Sequence, residues 1–506
     1  MAGCGRVGSL ACRCESASRD AGRRRGNAGG SGATRLPGAS ALGGVPASSP
    51  SLPKQLPPCV GRVVSTAKGW ECLVAGVVHT PSAKQQQELR AVIEDAAPDV
   101  VLLELDQGRL NTLLELGPST SYGAELATAA SAAWASGSVV LLGDVRARDS
   151  FAALFEPGQV VDPKRLRAGA TLALSSMLSG VGAAPRSTSQ ENVDVLAALL
   201  DDPAKLAPIA GTFALTVALV AITSATWHTY TGTPADQAAS LAFLVFQAAA
   251  LLRVFDVFLL ARDEALAASA IRALEIGSGL RRGRLLRRSW TFHSDPEALA
   301  VARAARPHPD GATPFFTLRR PLAEGETRRL NLFEPRWLAL MDELAGVMPE
   351  GSIVGATFGT IAAQNRIYSP GGEGMSSSGS VSDDLELSTS GERLADIVVE
   401  PVARMVRVVA AEEGARPVTG ARKVTLWIEG QELRRVDPAS LQGCGGGYLA
   451  GTVLGPATES RDGASEDEER APLDADAEQP PVRVVCVVGL AHANGVIDRC
   501  AKQMLA

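Results

Sequence analysis

Residues Glu71–Arg109 read ECLVAGVVHTPSAKQQQELRAVIEDAAPDVVLLELDQGR, and the reading of this stretch decides the fold. The apolar run Cys72–Val78 breaks at Gly76 and stops on His79. A short unbroken apolar run fits a strand covered on both faces of a parallel sheet; a buried helical segment is the competing reading. Ser82 is placed to cap a helix, with Gln85 completing a capping box. Leu89, Val92, Ile93 and Ala96 then recur on one helical face until Pro98 ends the helix. A second apolar strand, Val100–Leu105, carries Glu104 near its carboxyl end, and Arg109 follows.

Strand, helix and strand in this order predict an α/β fold with a largely parallel central sheet, whose ligand crevice lies outside the carboxyl ends of the strands. His79 and Glu104 both fall there. Far downstream, the run Val482–Val488 leads into Gly489-Leu490-Ala491-His492, repeating the grammar of Gly76-Val77-Val78-His79. The chain has 5 histidines, and two of them end apolar runs in the same Gly-x-x-His context. Glycine three residues ahead permits a tight exit from the strand that turns the imidazole to the crevice. A third apolar strand, Val139–Leu142, ends in Gly143-Asp144, after an Ala-rich helix over Tyr122–Trp134 that bears Glu125. Asp144 fits two roles: orienting a ligating imidazole or a water, or capping a helix.

The blocks GVVH (76–79), LELDQGR (103–109), LLGDV (141–145), ARDEAL (261–266) and VVGLAHANGV (487–496) together resemble the TraB/PrgY group, related to the Tiki membrane-associated metalloproteases. The resemblance implies an α/β core with both Gly-x-x-His histidines and the LELD glutamate in one site. It also implies metal-dependent peptide hydrolysis in some relatives and inhibition of a peptide signal in others. Where that group has Gly-Asp-Arg, this chain has Gly143-Asp144-Val145, with Arg146 and Arg148 as the nearest substitutes.

Two imidazoles and a carboxylate form a set that leaves a coordination position for water, as in catalytic zinc sites; manganese, cobalt or iron is accommodated similarly. The expected metal ligands are therefore His79, Glu104 and His492. Asp144 or Glu125 is the expected proton acceptor and Arg109 the expected oxyanion partner. A bland reading stands beside this one, in which Glu104 pairs with Arg109 and the histidines are satisfied polar residues. Two functions follow: a metallopeptidase acting on a peptide or protein substrate, or a membrane-associated binding or adaptor protein with no turnover that sequesters a peptide or partner.

A chain of 506 residues that is 46% hydrophobic holds roughly two or three domains. A net charge of −6 gives no reason to expect nucleic-acid binding. Residues 1–60 carry eight basic residues against Glu15 and Asp20, without a secretory apolar core. They read as a disordered segment or a transit peptide to a chloroplast or mitochondrion. The α/β domain is expected over 61–300 and again over 481–506. Within it, 206–260 holds two apolar runs, which form either a membrane hairpin or buried helices. The arginines of 281–288 read as a membrane-surface anchor or a solvated face. From 314 to 455 the pattern is β-rich, and LNLFEPRWLALM (330–341) resembles the Phe-Glu-Pro-Arg signature of the Lon protease amino-terminal substrate-binding domain. That likeness implies peptide or partner binding and a structural role for Phe333–Trp337. Residues 456–480, with nine acidic residues against two arginines, read as a disordered linker. The eight cysteines show no metal-type Cys-x-x-Cys pair and read as reduced structural thiols.

Overall fold

The computed structural model describes residues 56–57, 59–78, 83–116, 123–145, 147–154, 162–179, 181, 242, 252–370, 392–416, 420–457 and 480–505. His79, Arg146, residues 1–55 and nearly all of the apolar stretch 206–251 lie outside them, as do residues 458–479 of the acidic segment.

The architecture is mixed α/β with two sheets. The α/β part begins with β1 (Val60–Ser65), β2 (Trp70–Val77) and α1 (Ala83–Ala96), followed by β3 (Val100–Leu103) and α2 (Gln107–Leu116). Next come α3 (Ala124–Ala135), β4 (Val139–Leu142), α4 (Ala147–Leu154) and α5 (Pro163–Ser179). A π-helical turn, Asp256–Ala261, runs straight into α6 (Arg262–Arg281). The β-rich part holds β5 (Leu286–His293), α7 (Pro296–Ala305), β6 (Thr313–Leu318), β7 (Thr327–Leu332), α8 (Pro335–Gly346) and β8 (Thr357–Pro370). It continues through β9 (Glu392–Val399), β10 (Val402–Ala415), β11 (Arg422–Val436), β12 (Gln442–Gly443), β13 (Leu449–Gly451) and β14 (Val453–Pro456). The chain then returns to the first sheet with β15 (Val482–Gly489) and ends in α9 (Leu490–Leu505).

The first sheet has the order β1-β2-β15-β3-β4. Only β1 is antiparallel; β2, β15, β3 and β4 are parallel to one another. All eight residues of β15 and all four of β3 are buried, which is why these strands read as apolar runs without alternation. Successive side chains leave opposite faces. Leu73, Ala75, Val101, Leu103, Val485 and Val487 pack beneath α1 and α3, while Cys72, Val74, Val100, Leu102, Val484 and Cys486 pack beneath α6 and α9. The predicted inner face of α1 is the observed one, since Leu89, Val92, Ile93 and Ala96 are its buried residues.

Among the described residues no helix is long and apolar enough to cross a membrane. The end of the second apolar run packs inward: Leu259 and Leu260 form a small core with Leu166 of α5. Three of the five arginines of the 281–288 run, read from sequence as solvated or membrane-facing, are bound to the protein's own oxygens, while Arg282 and Arg284 are exposed. Arg281 grips Asp99 at 2.7 and 2.9 Å, Arg287 grips Asp396 at 2.8 and 3.0 Å, and Arg288 donates to the carbonyls of Leu441 and Pro438. Part of that run is strand β5, paired along its whole length with β9. In the Phe-Glu-Pro-Arg stretch, Arg336 is buried, 4.3 Å from the Phe292 ring and 4.6 Å from those of Trp337 and Tyr368. Phe333 is instead 47% exposed, beneath the Arg416 guanidinium. The described cysteines are free thiols.

The register of β15 is pinned by charge. Arg483 lies directly opposite Glu71 on β2, and its Nε donates to Glu71 Oε2 at 2.6 Å; Nη1 donates to the Ala96 carbonyl at 2.6 Å. Arg62 Nε approaches the other Glu71 oxygen at 2.6 Å as an ion pair outside hydrogen-bond geometry. Glu71 is fully buried, so its removal strands the Arg483 charge. Glu71→Ala is expected to destabilise the fold by about 3–5 kcal/mol in urea denaturation, whereas Glu71→Leu combined with Arg483→Met recovers most of the loss. Equal destabilisation by the single and the double variant would show that packing, not the pair, sets the cost.

Candidate functional site

The site sits where β2, β15, β3 and β4 end. Its residues come from five segments: Glu104 after β3, Arg109 in the first turn of α2, Asp144 after β4, Arg262 and Asp263 at the start of α6, and His492 with Arg499 on α9. Val487 and Leu103 are register partners, and the Glu104 amide continues the ladder by donating to the Val487 carbonyl at 3.0 Å. The Glu104 side chain then turns across the end of β15, where its Oε2 accepts the Gly489 amide proton. That bond closes the carboxyl end of the sheet and leaves Glu104 Oε1 facing Arg262 and His492.

Oε1 lies 2.7 Å from Arg262 Nη2 and 3.9 Å from His492 Nε2. The other imidazole nitrogen, Nδ1, is 2.7 Å from Asp263 Oδ1. Asp263 Oδ2 accepts from Arg499 Nη1 at 3.2 Å. Arg262 also clasps Asp144, Nε to Oδ1 at 2.8 Å and Nη2 to Oδ2 at 2.5 Å, while Arg109 Nη1 reaches Asp144 Oδ2 at 2.6 Å. Three guanidiniums thus interleave with three carboxylates around one imidazole. Every carboxylate is almost inaccessible, and Arg109 is the most exposed member, its side chain 36% exposed.

The local backbone explains how these groups meet. Asp106 caps α2 by accepting the Arg109 amide at 3.0 Å, which fixes the first turn carrying Arg109. The π-helical turn shifts the rotational phase of the residues behind it, and Arg262 and Asp263 come immediately afterwards; such turns concentrate at functional sites. Gly495 allows α9 to approach α6, because a Cβ there would lie 2.0 Å from Asp263 Oδ2. Gly76 serves packing rather than the strand exit expected of it. Its φ is not positive, and a Cβ would lie 2.7 Å from Val181 and 2.9 Å from Leu490. Nor does His492 occupy a loop: β15 passes directly into α9, and the residue is only 8% exposed.

The sequence-derived residues separate into three groups. Glu104, Asp144, Arg109 and His492 come together in one network. Glu125 is fully buried on α3, which packs against α1, β3 and β4. His79 lies outside the described residues; β2 carries the chain to Val77, the register partner of Gly489. Glu104 pairs with Arg262 and not with Arg109, which goes to Asp144 instead. Arg262, Asp263 and Arg499 were not singled out as site residues in the sequence. The ARDEAL block contained the first two, but charged residues at a helix start read as ordinary first-turn composition.

Burial alone would push the His492 imidazole below its ordinary value. The Glu104 charge and the Asp263 hydrogen bond and charge outweigh this, and the group titrates above that value. Asp263 is itself raised, chiefly by burial, against the pull of His492 and Arg499. A His held above its unfolded pKa stabilises the fold fully below about pH 6.5 and loses that contribution as pH rises through the folded value. Urea midpoints of the parent and His492→Gln, measured without metal from pH 6 to 9, should differ most at the acid end and converge upward. A gap that widens with pH would mean the imidazole is held neutral.

No family model matches the chain, and no curated protein matches it. Among solved structures it shows a weak likeness to the Lon N-terminal domain protein from Xanthomonas campestris, with 19% identity and a TM-score of 0.18. The likeness covers 29% of this chain and 62% of that one, so the chain spans less than two thirds of the protein it matches.

Proposed function

We propose that the chain is a metal-dependent hydrolase acting on peptides, its divalent ion held by His79, Glu104 and His492. The observation that carries this reading is the Asp263–His492 pair. A carboxylate on Nδ1 fixes the imidazole tautomer and turns Nε2 into a lone-pair donor, the arrangement that orients metal-ligating histidines. Nε2 and Glu104 Oε1 are 3.9 Å apart, less than the sum of two metal–ligand bonds of about 2.0–2.2 Å, so the donor pair fits a cation. A bound zinc, manganese, cobalt or iron ion would supply a water acidic enough to attack near neutral pH. The resemblance of the five sequence blocks to the TraB/PrgY group points to the same three ligands.

The chain's own residues take distinct roles. Asp263 holds His492 in orientation. Asp144, with both oxygens taken by Arg109 and Arg262, is better suited to fixing those guanidiniums than to accepting a proton. Arg109 is exposed enough to meet a carbonyl oxygen of a substrate and stabilise its developing charge.

One observation favours the second reading, a binding or adaptor protein without turnover. Arg262 Nη2 already satisfies Glu104 Oε1, placing a fixed positive charge beside the position a cation would take. A metal must share that oxygen with the guanidinium or displace it. Without metal, the crevice is a self-neutralised ionic cluster.

Elemental analysis of the full chain, purified without added metal or chelator, separates the two. About one divalent ion per chain is expected in the parent. His79→Ala and His492→Ala, folded by circular dichroism, should lose it, and Asp263→Asn should bind it about 10–100-fold more weakly. A parent that stays metal-free after reconstitution overturns the hydrolase reading in favour of the binding protein.

A further inference from the structure

Strand β8 belongs to the β-rich part, yet it enters the α/β part at its far end. Its first residues pair with β6 and β10, and residues 363–370 pair with β9. Within five residues of that second half it makes side-chain to main-chain bonds with three different elements. Arg272 of α6 donates Nη2 to the Gln364 carbonyl at 2.6 Å. Asn365 donates Nδ2 to the Val140 carbonyl on the edge strand β4 at 2.5 Å. Gln107, the first residue of α2, accepts the Tyr368 amide proton at 3.1 Å and donates to the Tyr368 carbonyl at 2.7 Å, reproducing a strand pairing with one side chain. Between these bonds the Ile367 side chain is fully buried in the same apolar core as α1, α3 and β3.

Each gripped element carries part of the candidate centre. Arg262 and Asp263 start α6, β4 leads into Asp144, and Arg109 lies two residues after Gln107. Gln107, Asn365 and Arg272 make none of the ionic bonds of the centre. On the other side, Tyr368 is itself immobilised, its ring 4.6 Å from the buried Arg336 guanidinium and 5.9 Å from the Phe292 ring, its hydroxyl 3.2 Å from Thr317 Oγ1.

We infer that β8 is a positioning strand: it holds α2, β4 and α6 in the mutual placement that lets Arg109 and Arg262 share Asp144, which makes the β-rich part a component of the centre. Gln107 and Asn365 are positioning residues, acting through Arg109 and Asp144. The physical ground is distance. The 2.6 Å bond from Arg109 to Asp144 depends on where the first turn of α2 sits, and charge-assisted bonds of this length do not survive displacements of about 1 Å.

The test uses Gln107→Ala and Asn365→Ala in the full-length chain, with two readouts. Amide hydrogen exchange should accelerate about 10-fold in peptides containing Gly143–Val145 and Leu490–His492, not only within α2 and β8. Cobalt(II), titrated through its visible absorption, should bind about 10-fold more weakly to each variant. Gln107→Ala added to Arg109→Ala should cost no further affinity, since the first acts through the second. Gln107→Glu, which retains the acceptor but not the donor, should fall between the parent and the alanine variant. Faster exchange confined to 107–116 and 364–370, with unchanged cobalt affinity, would reduce β8 to ordinary support and overturn the inference. The metal readout rests on the hydrolase reading. If the parent takes up no cobalt, that reading fails separately, and the spread of exchange to 143–145 and 490–492 alone decides whether β8 positions the cluster.

Discussion

The buried pair of Glu71 and Arg483 is the constraint from which the rest follows. It sets which residue of the C-terminal strand lies opposite which residue of β2, at the end of the sheet away from the site. Six residues further along, that register puts Gly489 opposite Val77, with its amide proton on Glu104. A slip of one residue would exchange the two faces of β15, moving Val485 and Val487 out of the α1–α3 core and Cys486 out of the α6–α9 core. His492 would leave Asp263 in the same movement. Ionic registration at one end of the sheet and assembly of the site at the other therefore depend on one register.

At the site, opposite charges alternate so closely that no member acts alone. Glu104 is shared by Gly489, Arg262 and His492; Asp144 by Arg109 and Arg262; Asp263 by His492 and Arg499. In a buried setting each carboxylate must be compensated, because an unpaired charge there costs several kcal/mol. Guanidiniums do this while keeping fixed planes, which orients the carboxylates they hold. The imidazole is the one member that changes charge near neutral pH, and its partners draw it toward the protonated form. On the hydrolase reading, a metal would have to compete with the proton for Nε2, beside the Glu104 oxygen that Arg262 already holds.

Apolar periodicity made the parallel strands legible, because strands buried on both faces have no alternative but unbroken Val and Leu. The inner face of α1 was legible for the same reason. Grammar made Glu104, Asp144 and His492 legible, since each follows directly on an apolar run. What sequence hid was pairing. Nothing local in ARDEAL says that Asp263 meets a histidine 229 residues later, or that Arg262 bridges two carboxylates from different strands. Strand β1 was missed because it is an edge strand with exposed Arg62 and Val64 between buried neighbours, and β5 because its arginines look like solvated charge until their partners are known. Gly489 reads as a glycine that lets the strand exit tightly toward the crevice, whereas it is the last residue of β15 and the chain passes straight into α9.

The long β-rich segment is compatible with this sheet because it leaves and returns at one point. Its departure is the end of α6, where Arg281 is bound to Asp99, and its return is the start of β15, where the Arg483 amide donates to the same Asp99 carboxylate at 2.8 Å. Arg281 also donates to the Pro480 carbonyl. Two chain positions separated by about two hundred residues are thereby held on one side chain, and the entropy of closing such an insertion grows only slowly with its length. Insertions are tolerated where their ends lie together, but this one does more than loop out. Its strand β8, a member of the second sheet, is bonded to β4, α2 and α6 through side chains, so the segment is fastened at its ends by Asp99 and again near its middle by Gln107, Asn365 and Arg272. Two fastenings at opposite ends of the sheet remove the rocking freedom that a single attachment would leave, and the ionic cluster lies at the end that the second fastening holds.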